Sequence, residues 1–399
     1  MNQALRFIIL LLLAISQTAL AQTASRIKPP LPEPPQLSAS SYLLQDFNSA
    51  MVLVEHNASA RVEPASITKV MTAYVLFHEL RSGQLKLDDL VTVSEKAWRK
   101  GGSKMFIEVG DQVLVEDLLR GVIVQSGNDA SIALAEAVAG SESAFASMMN
   151  AYAEQLGMAD THFVNATGWP HAEHYTTAAD LARLARAMIQ EFPDDYAYFA
   201  EPEFSYGGIS QPNRNRLLFV GPGVDGLKTG HTESAGYCLL ASAEQDGMRL
   251  ISVVMGADSE QQRNAQSLEL LTYGQRFYTS RLLQQGQQPL GQMRIWKGAA
   301  DTVAVQVIND IYVAVPRSQR DQLRTQVRVA EPLLAPVAAG QKLGLLQVLL
   351  ADEVIAEHPL LAASSVDQAG LMTRWWHGLR LWLGGGESDP AAVAKGAAD

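Results

Sequence analysis

PASITKVMTAYVLFHEL, residues 64–80, sets Ser66 and Lys69 three positions apart at the head of an apolar, helix-like run. Residues at i and i+3 share a helix face, so the hydroxyl and the amine become neighbours. A serine hydroxyl is a weak nucleophile until an adjacent base accepts its proton, and a neutral lysine amine one turn away provides that contact. Lysine is protonated at neutral pH unless burial or a second cation depresses its pKa. A second lysine nearby is therefore expected, and Lys228 is the candidate.

Two other short segments extend the pattern. QSGN at 125–128 carries Ser126 and Asn128 ahead of the alanine-rich run ASIALAEAVAG, and DGLKTGH at 225–231 carries Lys228, Thr229, Gly230 and His231. Taken singly, the three segments read as a helix N-cap, a turn with a cap, and a hairpin turn. Their occurrence in one chain, at spacings of 60 residues (126 − 66) and 102 residues (228 − 126), makes coincidence a poor account.

Outward from these motifs the chain changes texture in a regular way. YLLQD at 42–46 and MVLVE at 51–55 read as strands joined by FNSA. DLLRGVIVQ at 117–125, ASIALAEAVAG at 130–140 and TTAADLARLARAMIQEF at 176–192 have helical periodicity, the last with Thr177 and Asp180 spaced as a capping box. CLLASA and LISVVMGA then return to strand. A β-start, α-middle, β-end order predicts an α/β sandwich whose single sheet draws on both ends of the segment.

Beyond about Leu283, TVAVQV at 302–307, IYVAVP at 311–316, TQVRVA at 325–330 and KLGLLQVLLADEVIAEHPLL at 342–361 predict a small all-β domain without a titratable cluster. The expected layout is a signal peptide at 1–21, a proline-rich spacer at 22–40, a catalytic domain at 41–283, the β domain at 284–364, an amphipathic helix at 365–384 and a flexible tail at 385–399. The leader rests on the apolar run FIILLLLAI and the small-residue pattern Ala19-Leu20-Ala21, with cleavage expected after Ala21.

The three-motif set resembles that of penicillin-binding proteins and serine β-lactamases. VDGLKTGHTESAGYCLLASA at 224–243 and RLISVVMGADS at 249–259 narrow the likeness to the low-molecular-mass serine-type D-alanyl-D-alanine carboxypeptidases, from about Ser41 to about Pro359. This resemblance implies the α/β penicillin-binding and β-lactamase-like transpeptidase fold. It implies Ser66 as acyl-ester nucleophile, Lys69 as proton acceptor, and Ser126 with Lys228 relaying the proton to the leaving amine, while Asn128 holds the substrate amide. The backbone N–H groups of Ser66 and His231 would form the oxyanion hole. Lys228, Thr229, Gly230, His231 and Arg263 would bind substrate, Thr229 and Arg263 at its terminal carboxylate. Relatives often carry an acidic residue after that arginine, whereas this chain has Asn264. The implied partners are peptidoglycan stem peptides, with β-lactams as inhibitors.

Competing readings differ at specific residues. A class A β-lactamase needs a glutamate-held water, yet THFVNATGWPHAEHYTTAA contains no Glu-x-x-x-Asn. A DD-endopeptidase shares the motifs, but the extra β domain and terminal helix favour a carboxypeptidase. A catalytically idle wall-binding module is disfavoured by the intact Ser66, Lys69, Ser126, Asn128 and Lys228. His171 and His174 in PHAEH are a weak zinc pattern, and the serine route requires no cofactor.

The net charge of −11, from 31 basic and 42 acidic residues in 399, argues against a nucleic-acid partner. Cys238 is the sole cysteine, and its apolar setting predicts a buried strand residue with no disulfide. In GLMTRWWHGLRLWLG at 370–384, Leu371, Met372, Trp375, Trp376, Leu379, Trp382 and Leu383 fall within an arc of about 140° at about 100° per residue. Thr373, Arg374, His377 and Arg380 take the other side, with Leu381 as the exception. This pattern predicts a membrane-surface helix on the periplasmic, outer face of the inner membrane.

Overall fold

The computed structural model describes residues 31–329 and 332–383. The expected signal peptide at 1–21, the spacer up to residue 30 and the tail at 385–399 lie outside the described residues. The end of the spacer is tied down, with Ala39 N donating to Gln266 Oε1 at 3.1 Å.

Strands β1 (Ser41–Asp46) and β2 (Val52–His56) form the expected hairpin. A 3-10 turn at Ala65–Ile67 leads into α1 (Thr68–Ser82). Every residue from Thr68 to Phe77 is buried, and a helix buried on all sides needs the nearly continuous apolar run that the sequence supplies. It stops at Gly83, whose φ of 77° is the left-handed C-cap conformation.

The helical middle comprises α2 (Glu95–Arg99), α3 (Val115–Ile123), α4 (Asn128–Ala139), α5 (Glu142–Gln155) and α6 (Ala178–Glu191). Thr177 caps α6 by accepting from Asp180 N at 3.1 Å. The Asp180 carboxylate turns elsewhere, accepting from Thr161 Oγ1 at 2.8 Å and Asp160 N at 3.1 Å, so the cap joins a loop to the helix rather than closing a box. Two small two-stranded sheets were not foreseen: β3 (Leu90–Thr92) with β4 (Gln112–Leu114), which flank α2, and the hairpin of β5 (Glu203–Tyr206) with β6 (Ile209–Pro212). Strands of three or four residues carry too little alternation to be read.

After the short α7 (Leu217–Val220), strands β7 (Val224–Thr232), β8 (Gly236–Gln245) and β9 (Met248–Ala257) complete an antiparallel sheet of order β2-β1-β9-β8-β7. Its register runs Lys228, Leu240, Val253, Leu43, Glu55 across the five strands. The two ends of the catalytic segment therefore share one sheet, and the Lys-Thr-Gly motif lies on an edge strand. Cys238 is fully buried in β8, and burial pushes its thiol up to about 11. Helix α8 (Glu260–Phe277) packs on β8 and β9.

Strand β10 (Tyr278–Gln284) spans residue 283 and pairs with β13 (Ile311–Pro316), so the β region is entered at Tyr278. The remaining strands, β11 (Pro289–Arg294), β12 (Thr302–Gln306), β14 (Leu323–Val329), β15 (Lys342–Leu350) and β16 (Glu353–Ala362), form a sheet of order β11-β12-β16-β15-β14. The long apolar run at 342–361 is thus a hairpin that turns at Ala351 and Asp352.

Helix α9 (Leu371–Trp382) docks on this region through His377, which is buried, accepts from Lys297 N at 2.8 Å and meets the Trp296 ring edge-on at 5.5 Å. Leu381, the outlier of the wheel, is half-buried beside it. The apolar arc faces away, with Leu371, Met372, Trp375 and Trp382 between 68% and 85% exposed. No described helix is long and apolar enough to cross a membrane.

Candidate active site

The nucleophile turn lies where three elements converge. Ala65, immediately before Ser66, has φ of 47°, and Ser126 has φ of 61°. Left-handed backbone at two non-glycine residues stores strain of about 1–3 kcal/mol each and typically marks functional sites. Gly168 (φ 81°) abuts the same turn, where a Cβ would lie 1.8 Å from the Ala65 carbonyl oxygen. On the other side a Cβ on Gly230 would lie 3.2 Å from Ser66 N, so glycine lets the edge strand β7 approach the nucleophile's own N–H.

Helix α1 carries Lys69 into this space fully buried. Its Nζ lies 3.1 Å from Ser66 Oγ, 2.7 Å from Asn128 Oδ1 and 2.7 Å from the Thr167 carbonyl oxygen. The last two oxygens accept only. They occupy two N–H bonds of a neutral amine and leave its lone pair for the Ser66 hydroxyl. Burial holds Lys69 well below the usual lysine range, repulsion from Lys228 adds to this, and Asp129 opposes it. The second cation expected from the sequence is present, and desolvation is the larger cause.

Lys228 is also buried, with Nζ 3.2 Å from the Thr229 carbonyl. Burial, then the positive charges of Arg214 and Arg263, bring it down to about 7. Asn128 joins the SGN segment to a neighbouring loop, donating from Nδ2 to the Gly101 carbonyl at 2.8 Å and from its backbone N–H to the Ser103 carbonyl at 2.7 Å. Asp129, which the sequence reading passed over, accepts from the N–H groups of Met105 and Phe106 and fastens the same loop. Its position directly after SGN was the available signal.

Two lobes of one cleft meet at the nucleophile. The first, about 400 Å³, brings together Ser66, Ser126, Thr229, Gly230, His231 and Arg263. The second, about 780 Å³, is bounded by Asn128, Thr167, Gly168 and the exposed Trp169. His231 packs against Tyr237, ring centroids 4.0 Å apart and planes tilted by 31°. Arg263 is buried on α8, bonded through Nη2 to Glu260 Oε1 at 3.2 Å and Asn264 Oδ1 at 2.9 Å. Asn264 therefore steadies the guanidinium without cancelling its charge.

All nine residues singled out from the sequence lie at this cleft or in its wall. The loop that supplies the Thr167 carbonyl was missed, because a carbonyl has no sequence signature. Asn165 Oδ1 organises it by accepting from the N–H groups of Thr167, Gly168 and Trp169, at 3.1, 2.8 and 3.0 Å. The loop presents an uncharged backbone oxygen to Lys69 rather than a carboxylate. His174 is buried and has both ring nitrogens engaged, by Thr68 Oγ1 at 2.9 Å and Val164 N at 3.0 Å. Burial lowers it to about 4, so it is a neutral buttress rather than a metal ligand.

Residues 28–259 match the family described as D-alanyl-D-alanine carboxypeptidase, and residues 277–368 match the penicillin-binding protein 5 C-terminal domain. The chain is 42% identical over 352 residues to D-alanyl-D-alanine carboxypeptidase DacC of Escherichia coli (strain K12), covering 86% of this chain and 88% of that protein. It is 40% identical to DacA of the same strain, covering 86% and 87%. Penicillin-binding protein 5 from Haemophilus influenzae superposes with a TM-score of 0.82 at 36% identity, covering 84% of this chain and 100% of that one. Penicillin-binding protein D2 from Listeria monocytogenes in an ampicillin-bound form covers 61% and 99%, with a TM-score of 0.56 at 28% identity.

Proposed function

The chain belongs to the D-alanyl-D-alanine carboxypeptidase family, and we propose that it works through an acyl-enzyme at Ser66 in the periplasm, held to the membrane surface by α9. It is a serine-type D-alanyl-D-alanine carboxypeptidase that removes terminal D-alanine from peptidoglycan pentapeptide stems and forms a stable acyl-enzyme with penicillins.

The observation that carries the mechanism is the disposition of Lys69, whose two acceptor-only partners reserve its lone pair for Ser66. Ser66 Oγ attacks the carbonyl of the penultimate D-alanine as Lys69 takes its proton. The tetrahedral oxyanion is received by the backbone N–H groups of Ser66 and His231, an arrangement in which each donor is typically worth ~10²–10³ in rate. Ser126 and Lys228 pass a proton to the leaving amine, and Lys228, at about 7, exchanges one readily near neutral pH. Asn128 holds the substrate amide, while Thr229 and Arg263 hold the terminal carboxylate. Water then cleaves the ester.

The test is incubation of the purified protein and of Ser66→Ala with a pentapeptide muropeptide, with free D-alanine followed by mass spectrometry. Release by the protein and none by the variant is expected. Equal release from both would remove Ser66 from the mechanism.

The placement at the membrane rests on α9. His377 on its docked side is buried, whereas Leu371, Met372, Trp375, Trp376, Trp382 and Leu383 of the outward arc are exposed and Leu379 is half-buried. Such an arc suits the acyl-headgroup boundary.

A further inference from the structure

One wall of the cleft is the segment Asn213-Arg214-Asn215-Arg216. The two asparagines are buried, at 2% and 1% exposure, and pin the backbone. Asn213 Nδ2 donates to the Glu201 carbonyl and Asn215 Nδ2 to the Gly226 carbonyl, each at 2.9 Å. Their Oδ1 atoms accept from the N–H groups of Asn215 and Leu217 at 2.9 and 3.1 Å. With every second residue fixed inward, Arg214 and Arg216 are exposed and both face the 400 Å³ lobe.

No hydrogen bond or ion pair engages either guanidinium among the described residues. Arg263 brings a third to the same lobe, and Glu260 is its carboxylate partner. Three guanidinium groups against one carboxylate exceed what a single α-carboxylate requires. Arg214 borders both lobes, whereas Arg216 borders only the one that holds Thr229 and Arg263.

We propose that Arg216, with Arg214, forms a second anion subsite on the leaving-group side, selecting substrates whose leaving amine carries a carboxylate additional to the one on its α-carbon. This rests on the reading of Thr229 and Arg263 as the holders of that α-carboxylate. Two sources share the chemistry: a terminal D-glutamate or D-aspartate, and the acceptor stem of a cross-linked peptide. In either case Ser66 Oγ bonds to the carbonyl carbon, the C–N bond breaks, a proton passes to the leaving amine, and water then splits the ester and restores the hydroxyl.

The test uses the full-length protein and two matched pairs. One pair is diacetyl-L-Lys-D-Ala ending in D-Glu or in its neutral isostere D-Gln. The other is a cross-linked muropeptide dimer with acceptor carboxylates free or amidated. The ratio of kcat/KM within each pair is read for wild type, Arg216→Gln and Arg216→Lys. A preference for the anionic member is expected, falling about fivefold in Arg216→Gln, as for an exposed ion pair, and retained in Arg216→Lys. High salt should shrink it. A loss confined to the first pair identifies a terminal acidic residue, and one confined to the dimers identifies the cross-link; either supports the subsite. Ratios that ignore Arg216→Gln in both pairs overturn it. Release of D-alanine from diacetyl-L-Lys-D-Ala-D-Ala is measured alongside, because its absence strikes the carboxypeptidase reading rather than the subsite.

Discussion

Lys69 Nζ and the Thr167 carbonyl oxygen lie 2.7 Å apart, which ties the base of the nucleophile turn to a loop almost one hundred residues away in the chain. That oxygen accepts one amine N–H and Asn128 Oδ1 accepts another, and together they fix which way the lone pair points. The placement of the Lys69 amine therefore depends on a loop that meets it through a backbone oxygen and no side chain.

Penicillin is expected to label Ser66 as a long-lived ester, because the loop offers Lys69 a carbonyl where a β-lactamase would use glutamate to hold water. Lys69→Ala should acylate ~10²–10⁴-fold more slowly, the usual worth of positioned proton transfer. Peptide mapping and stopped-flow acylation measure both. Rapid turnover, or labelling at another residue, would sink this assignment.

Asn165→Ala removes the acceptor that organises Thr167, Gly168 and Trp169. The Thr167 carbonyl then loses its fixed position, and acylation should slow by ~10–10²-fold, since small misplacements near reacting groups cost that much. Penicillin acylation by a folded variant gives the answer. A wild-type rate would mean that the loop is not needed to aim Lys69.

Lys228→Met should stabilise the protein while abolishing activity. In the fold Lys228 titrates at about 7, against 10.5 as the ordinary value, so folding disfavours its proton. The penalty is complete below about 7, where both states are protonated, and disappears as pH rises through 10.5. Its size is on the order of a few kcal/mol. Thermal unfolding at pH 7 should therefore shift upward by several degrees, and the gain should fade towards pH 10. A gain independent of pH would assign it to packing instead.

Arg263→Ala should impair peptides with a free terminal carboxylate far more than amidated ones, because the buried guanidinium lines the lobe beside Thr229. Loss of a charge-assisted hydrogen bond is worth ~1.5–3 kcal/mol, about 10- to 150-fold in kcat/KM. Equal losses on both substrates would deny it the role of carboxylate holder.

Membrane retention should survive high salt. Each arginine adds ~1 kcal/mol towards anionic lipid, whereas a fully buried large apolar side chain adds ~1.5–3. Removing residues after about Ala363 from the leader-cleaved protein should give a soluble enzyme that still hydrolyses short peptides. Vesicle sedimentation of both forms tests this, and release of the intact protein by moderate salt would contradict it.

The motif residues, the order of strand, helix and strand, and the amphipathic arc at 370–384 were legible from the residues, because side-chain identity and short-range period carry that information. The motif residues also indicated that Lys69 needed a second cation. Tertiary structure alone decided what encloses these groups. The Thr167 carbonyl, the clasp of Asp129 on the 103–107 loop, and the facing of Arg214 and Arg216 into the cleft all arise from backbone atoms or from contacts between distant segments. Burial outweighs Lys228 in depressing Lys69, a ranking set by how completely α1 is covered. His377 was placed on the polar side of the helical wheel, but whether that side faced water or protein depended on Lys297 and Trp296, some eighty residues earlier. A helix's periodicity gives its faces, and only packing assigns each face a neighbour.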